Sequence, residues 1–154
     1  MGLERAAVEG AGTGAKFSDV IAAHAGKAGL KVVVKSPDMV MVPYALDGGR
    51  AQNCFVTYLG KDGDGANIIA IFSPSLKMPK DQELGAKTAN DLLRRNSRLS
   101  HGAWAIVNMG PDDYLGCLAT QALETMQPEE FRAACLVTCL AADDLEKQFG
   151  TDTF

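Results

Sequence analysis

Three arginines and a histidine cluster near the end of one predicted helix: Arg94, Arg95, Arg98 and His101. Guanidinium groups bind carboxylates and phosphates through paired hydrogen bonds. The cluster therefore predicts a site for a small anionic ligand, with or without catalysis, or for an acidic segment of a partner protein. The interpretation that we favour is a solvated helix end, where the cations complement the helix dipole and pair with Asp91.

Two other motifs look like ligand-binding loops but lack a required feature. Gly10–Ala15 has the glycine spacing of a dinucleotide fingerprint, yet no predicted strand precedes it. Lys16 is followed by Phe17 rather than by the Ser or Thr of a phosphate-binding loop. Asp62–Gly65 begins like a calcium loop, but Ser73 stands where the bidentate Glu is needed. We predict no cofactor at the first motif and a hairpin turn at the second.

The cysteines give no clear chemical site. Cys135 and Cys139 share one face of the last predicted helix, but neither histidine has metal-ligand spacing to them. We therefore predict no metal site and buried, reduced thiols, as we do for Cys54 and Cys117. A redox role for the helical pair would require an exposed thiol with a low pKa. Because no Ser–His–Asp or Cys–His relay is apparent, we predict no catalytic residues and no enzymatic activity.

Composition limits the classes of partner and location. The 154 residues are 47% hydrophobic and 22% charged, with a formal net charge of −4. This balance disfavours binding to nucleic acid or to an anionic membrane. No apolar run approaches the ~20 residues of a membrane span and no signal peptide is visible, so we predict a cytoplasmic protein. The predicted organisation is a flexible arm at 1–14, a single α+β domain at 15–150 and a tail at 151–154.

The hydrophobic period changes along the chain between helical and alternating patterns. It predicts helices at 15–28, 81–95 and 128–149 and strands at 31–35, 39–46, 52–59, 67–72, 103–109 and 114–122. Short turns imply antiparallel pairing, so the fold class is α+β, with helices packed on an antiparallel sheet in the order α-β-β-β(-β)-α-β-β-α. Pro43 interrupts the second strand, which leaves open whether the first part of the sheet has three or four strands.

The second helix and the strand after it carry specific expectations. Asp81 is the predicted N-cap of that helix, and Asn96 is predicted to end it in a left-handed conformation. Its apolar residues are expected to face inward: Leu84, Ala89, Leu92 and Leu93. Ala103–Met109 is apolar on both faces, which predicts a central strand that is covered on both sides.

The last helix is apolar around much of its circumference rather than along one stripe. One sheet face covers only part of such a helix. We therefore predict that Leu136, Val137 and Leu140 belong to an interface, most simply in a homodimer.

The order of these elements resembles the type III secretion chaperone-like fold and, within it, the YbjN family of bacterial sensory transduction regulators. The landmarks cover roughly the last third of the chain: Leu92, Leu93, Asn96, Leu99, Gly102, Trp104, Tyr114-Leu115, Pro128-Glu129-Glu130-Phe131 and Ala141-Ala142-Asp143. The resemblance implies a non-enzymatic module that forms dimers and binds protein segments, in a regulatory or chaperone-like role. A secretion chaperone proper is less favoured, because those proteins are typically more acidic than this chain.

Overall fold

The computed structural model describes residues 16–79, 81–151 and 153–154. The arm predicted at 1–14 lies outside these residues. The described chain forms three α-helices, at Phe17–Lys27 (α1), Ala86–Asn96 (α2) and Pro128–Phe149 (α3). Its six strands are Val33–Ser36 (β1), Met39–Ala45 (β2), Ala51–Lys61 (β3), Asn67–Met78 (β4), Ala103–Met109 (β5) and Asp112–Ala122 (β6).

The strands form one antiparallel sheet in the order β1-β2-β3-β4-β6-β5. The predicted α+β fold class is confirmed, with four strands between the first two helices. Pro43 is accommodated inside β2, and β4 continues through Pro74 to Met78 because a bulge between Pro74 and Leu76 shifts its register against β6.

Helix α3 is the main element that covers the sheet, and it packs on β3, β4 and β6. Its start combines Pro128 in the first turn with a capping box between Gln127 and Glu130, and its end is the left-handed Gly150. Helix α1 packs beside it on β2. Together these helices bury the large core, whose fully enclosed members include Ile21, Val40, Cys54, Val56, Ile69, Ile71, Phe131, Cys135 and Cys139.

A second, smaller core lies at the other end of the sheet. It consists of Met78, Leu92, Leu115 and Leu145, with Leu76, Leu84 and Trp104 packed against it. Helix α2 covers this end and contacts β5. The residues that define the site below surround this small core.

The structure corrects the prediction for Ala103–Met109. We expected a central strand covered on both faces, but β5 is an edge strand, because β6 returns beside it and takes the inner position against β4. Along β5 the residues are half-buried or exposed, and none is fully buried. The apolar composition of β5 is therefore not explained by burial within the chain.

Two predictions about α2 are also wrong. The helix begins at Ala86 after Gly85, not near Asp81, whose positive φ of 68° lies in the connection before it. Asn96 is the last helical residue, and the cap is Ser97 in a right-handed conformation. The side chain of Asn96 has a different role, which is described below.

Candidate functional site

In the predicted arginine–histidine cluster, the two adjacent arginines bond different partners. Arg94 is 72% exposed and donates to Asp91 on its own helix, with 3.3 Å between Nη1 and Oδ1. Arg95 donates instead to Gln148 of α3, with 3.2 Å between Nη2 and Oε1. The contacts match a solvated helix end and give no observation that favours a shared anion site.

The predicted interface residues lie on the outer side of α3. Leu136 and Leu140 are exposed, the latter by 46%, and Val137 is half-buried. They form an accessible apolar strip, and their role as an interface stays a prediction.

The four cysteines are free and buried. Cys54 lies 3.7 Å from the hydroxyl of Thr138, and the hydroxyl of Ser73 lies 3.7 Å from the sulfur of Cys139. Burial raises the pKa of the Cys117 thiol to about 12 and holds the pKa of Cys54 well above its usual value. Cys135 and Cys139, for which a redox role was considered, are both buried and so lack the exposure that such a role requires. No group of three or more His, Cys, Asp or Glu side chains in the described ranges is placed to hold a metal ion.

An apolar groove lies between α2 and β5, and we call it the α2–β5 groove. Its volume is about 260 Å³. The lining residues are Leu84, Ala89, Leu92, Leu93, Trp104, Ala105, Ile106 and Leu115. None of them carries a charge, so the groove offers contact to apolar groups and no ionic attraction.

The floor of the groove is fixed and its rim is open. Leu92 and Leu115 belong to the small core and are buried, which anchors α2 on the sheet. Leu93 is 65% exposed and Ile106 is 49% exposed, although both are large apolar side chains. The prediction that Leu93 faces inward is therefore wrong, since its neighbour Leu92 takes the inward position.

A hydrogen bond from β5 to α2 sets the separation of the two walls. The backbone N–H of Trp104 donates to Oδ1 of Asn96 at 2.6 Å. The connection before it passes through Gly102 at a φ of +78°, where an added Cβ would lie 2.6 Å from the carbonyl oxygen of Leu118. Because glycine has no Cβ, the backbone at Gly102 can pass this close to Leu118 of β6 just before β5 begins.

The indole of Trp104 brings one unsatisfied donor to the site. Its Nε1 atom is buried and has no hydrogen-bond partner among the described residues. A buried donor without a partner costs free energy. Trp104 therefore lines the groove while its own indole N–H is buried and unpaired among the described residues.

Sequence reasoning missed this groove as a site, although it found several of its residues. The signal that points to it is the pair Leu92-Leu93 in an otherwise polar helix. A helix that needs one apolar stripe for its own packing has no internal use for the second leucine.

Comparisons with known proteins found no matching family model, no matching curated protein and no matching solved structure. Among the helices of the described residues, none has both the length and the apolar composition needed to cross a bilayer.

Proposed function

We propose that the protein is a non-enzymatic protein-binding module, regulatory or chaperone-like, whose binding surface is the α2–β5 groove. One observation carries the proposal: Leu93 and Ile106, large and exposed, flank an uncharged groove beside an edge strand. Contiguous exposed apolar surface is typical of protein interaction sites. The occupant is either a second copy of the chain or a segment of another protein.

The shape of the surface favours a protein segment over a free metabolite. An edge strand presents backbone donors and acceptors, and a segment that pairs with it gains hydrogen bonds while its side chains enter the neighbouring groove. The YbjN-like resemblance supports the same role. We also propose a cytoplasmic location, which the four unpaired cysteines support, because thiols stay reduced there.

The test uses Trp104, the single tryptophan of the chain, as a reporter inside the groove. Peptides selected by display on the immobilised protein are titrated while tryptophan emission is recorded. We expect binding that shifts the emission and that Leu93→Asp weakens at least tenfold, because the substitution places a charge on the apolar rim.

Leu140→Asp is the matched control, since Leu140 is a similarly exposed leucine on α3. It leaves peptide binding unchanged if the groove is the binding surface. Loss of binding in Leu140→Asp alone would transfer the function to the α3 strip of Leu136, Val137 and Leu140. Selections that recover no peptide dependent on either leucine would overturn the proposal.

A further inference from the structure

The last turn of α3 carries a carboxylate side chain that is fully buried. Glu146 is 0% exposed, although it lies at the negative end of the helix dipole, where a carboxylate is disfavoured. A buried charge needs partners that replace the lost water. Its Oε2 atom lies 3.9 Å from Nη2 of Arg50 and accepts no hydrogen bond from the described residues. Most of the compensation must therefore come through Oε1.

The chain that follows α3 supplies this compensation. It folds back, and the backbone N–H groups of Thr153 and Phe154 both donate to Oε1 of Glu146, at 2.5 and 3.3 Å. The carbonyl of Thr151 accepts a hydrogen bond from Nη2 of Arg50 at 2.9 Å. These contacts are made by backbone groups, so they do not depend on the side chain at position 153.

An aromatic contact holds the far end of the same segment. The ring of Phe154 stands edge-on to the ring of Tyr114 in β6, with 5.9 Å between the centroids and 80° between the planes. Edge-to-face pairs of this kind are favourable. Tyr114 directly precedes Leu115, which belongs to the small core and lines the groove. The segment therefore joins the end of α3 to the strand that carries the floor of the groove.

The last turn of α3 also supports α2. Leu145, the neighbour of Glu146, is buried in the small core together with Leu92 of α2. Gln148 accepts a hydrogen bond from Arg95 of α2, with 3.2 Å between Oε1 and Nη2. Both supports come from residues within two positions of the buried carboxylate. If this turn unwinds, α2 loses both of them.

We infer that Thr151, Thr153 and Phe154 form a latch, which we call the α3 latch, and that it regulates the α2–β5 groove. In the closed latch Glu146 stays buried, and the last turn of α3 holds α2 in place. In the open latch Glu146 loses two hydrogen bonds and moves to water, so the last turn unwinds and α2 is released. The inference rests on the proposed function, because the groove is the site that the latch regulates.

The coupling between the latch and the groove acts in both directions. A partner bound in the groove contacts α2 and stabilises it, which favours the closed latch. A molecule that captures the segment after α3 opens the latch and weakens binding in the groove. Thermodynamic linkage requires the two effects on the binding constants to be equal.

Two substitutions at one exposed position test the latch. Thr153→Pro removes the backbone N–H that donates to Glu146, whereas Thr153→Ala keeps it and is the matched control. Hydrogen exchange and the emission of Trp104 are measured without any ligand. We expect at least tenfold faster exchange of the last turn of α3 and of α2 in Thr153→Pro. Its emission should move to longer wavelength, because Trp104 packs against the small core, and Thr153→Ala should match the wild type.

Phe154→Ala opens the latch by a different route and decides the test if the proline variant does not fold. It removes the ring contact with Tyr114 and keeps every backbone donor. We expect a change in the same direction as for Thr153→Pro but of smaller size. If neither variant exchanges faster in α2 than Thr153→Ala, the inference is overturned, even where the last turn of α3 itself exchanges faster.

Peptide titration separates this inference from the proposed function. The display-selected peptides should bind Thr153→Pro at least threefold more weakly than Thr153→Ala, because a released α2 must be ordered again on binding. Peptides that depend on Leu93 but bind both variants equally would overturn the regulation and leave the binding module. If no such peptides are found, the proposed function fails and the regulation fails with it, whatever the exchange of α2 shows.

Discussion

The two ends of the sheet are built by opposite rules. At one end, β1 is four residues long, contains Lys35, begins shortly after Lys31 and changes register between Val34 and Ser36. At the other end, β5 is seven residues long, uncharged and regular. The first edge has several of the devices that hinder pairing with another chain, whereas on the second edge Asn96 of α2 covers only the N–H of Trp104. The same chain thus protects one edge and leaves the other able to pair.

The helices repeat this asymmetry. Helices α1 and α3 bury the large core between them, and α3 spans three strands. Helix α2 covers the β5 end with a core of four buried residues. The end that carries β5 is also the end with the smaller core. A partner at β5 would complete both the sheet edge and the cover of the groove.

The largest expected effect contrasts the two cores. Phe131 is fully buried in the large core, so Phe131→Ala should reduce the free energy of unfolding by about 3–5 kcal/mol. Leu92→Ala in the small core should cost about 2–3 kcal/mol and should mainly release α2. Urea unfolding measures the totals, and hydrogen exchange locates the loss of protection. If Leu92→Ala lowers the hydrogen-exchange protection of β3 and β4 as much as that of α2, the two cores do not unfold separately and the contrast between them is wrong.

A smaller effect concerns the charged pair at the large-core end. Asp143 is 2% exposed and pairs with Arg50 and Lys147. Burial alone would raise the pKa of this carboxyl, but the hydrogen bonds from Lys147 and Arg50 outweigh burial and lower it. A lowered pKa in the folded state adds stability above the pKa of the unfolded chain. This stability disappears as the pH falls through the folded-state value.

Asp143→Asn should therefore cost about 1–3 kcal/mol near pH 7 and progressively less as the pH falls below about 4. Asp144→Asn is the control, since Asp144 is exposed and lies 3.6 Å from Lys147 on the same helix. It should change stability little at either pH, because exposed ion pairs contribute little. Urea unfolding of both variants across this pH range measures the difference. If the free energies of unfolding of Asp143→Asn and the wild type change in parallel with pH, the carboxylate of Asp143 is not a source of acid sensitivity.

The fold class was predictable because its signals are local. The change of hydrophobic period and the turns between strands are read from neighbouring residues, and they gave the order of the elements. The place of β5 was not predictable in this way, because it depends on whether β4 pairs with β5 or β6, which lie far from it in sequence. An apolar pattern on both faces is the same for a strand inside a sheet and for an edge that another chain covers.

The candidate site shows the same limit. Arg94 and Arg95 are adjacent in sequence, but successive helical residues point about 100° apart, and the two side chains bond different partners. Leu92 and Leu93 look equivalent in sequence for the same reason, yet one is buried and the other exposed. Adjacent residues of one type therefore do not predict a shared site on a helix. The groove depends on how α2 rests on β5, and that contact joins residues across a turn.

The smallest expected effect on stability comes from a substitution that changes the groove but not the core. Leu93→Ser should change the free energy of unfolding by no more than about 0.5 kcal/mol, because the side chain is largely exposed and supports no core. It should nevertheless move the emission of Trp104 to longer wavelength, since Leu93 shares the groove with the indole and serine admits water. Val34→Ser on the protected edge is the matched control and should leave both stability and emission unchanged. An emission spectrum that is the same in all three proteins would mean that Leu93 does not shield the groove, and the contrast between the two edges would then rest on β5 alone.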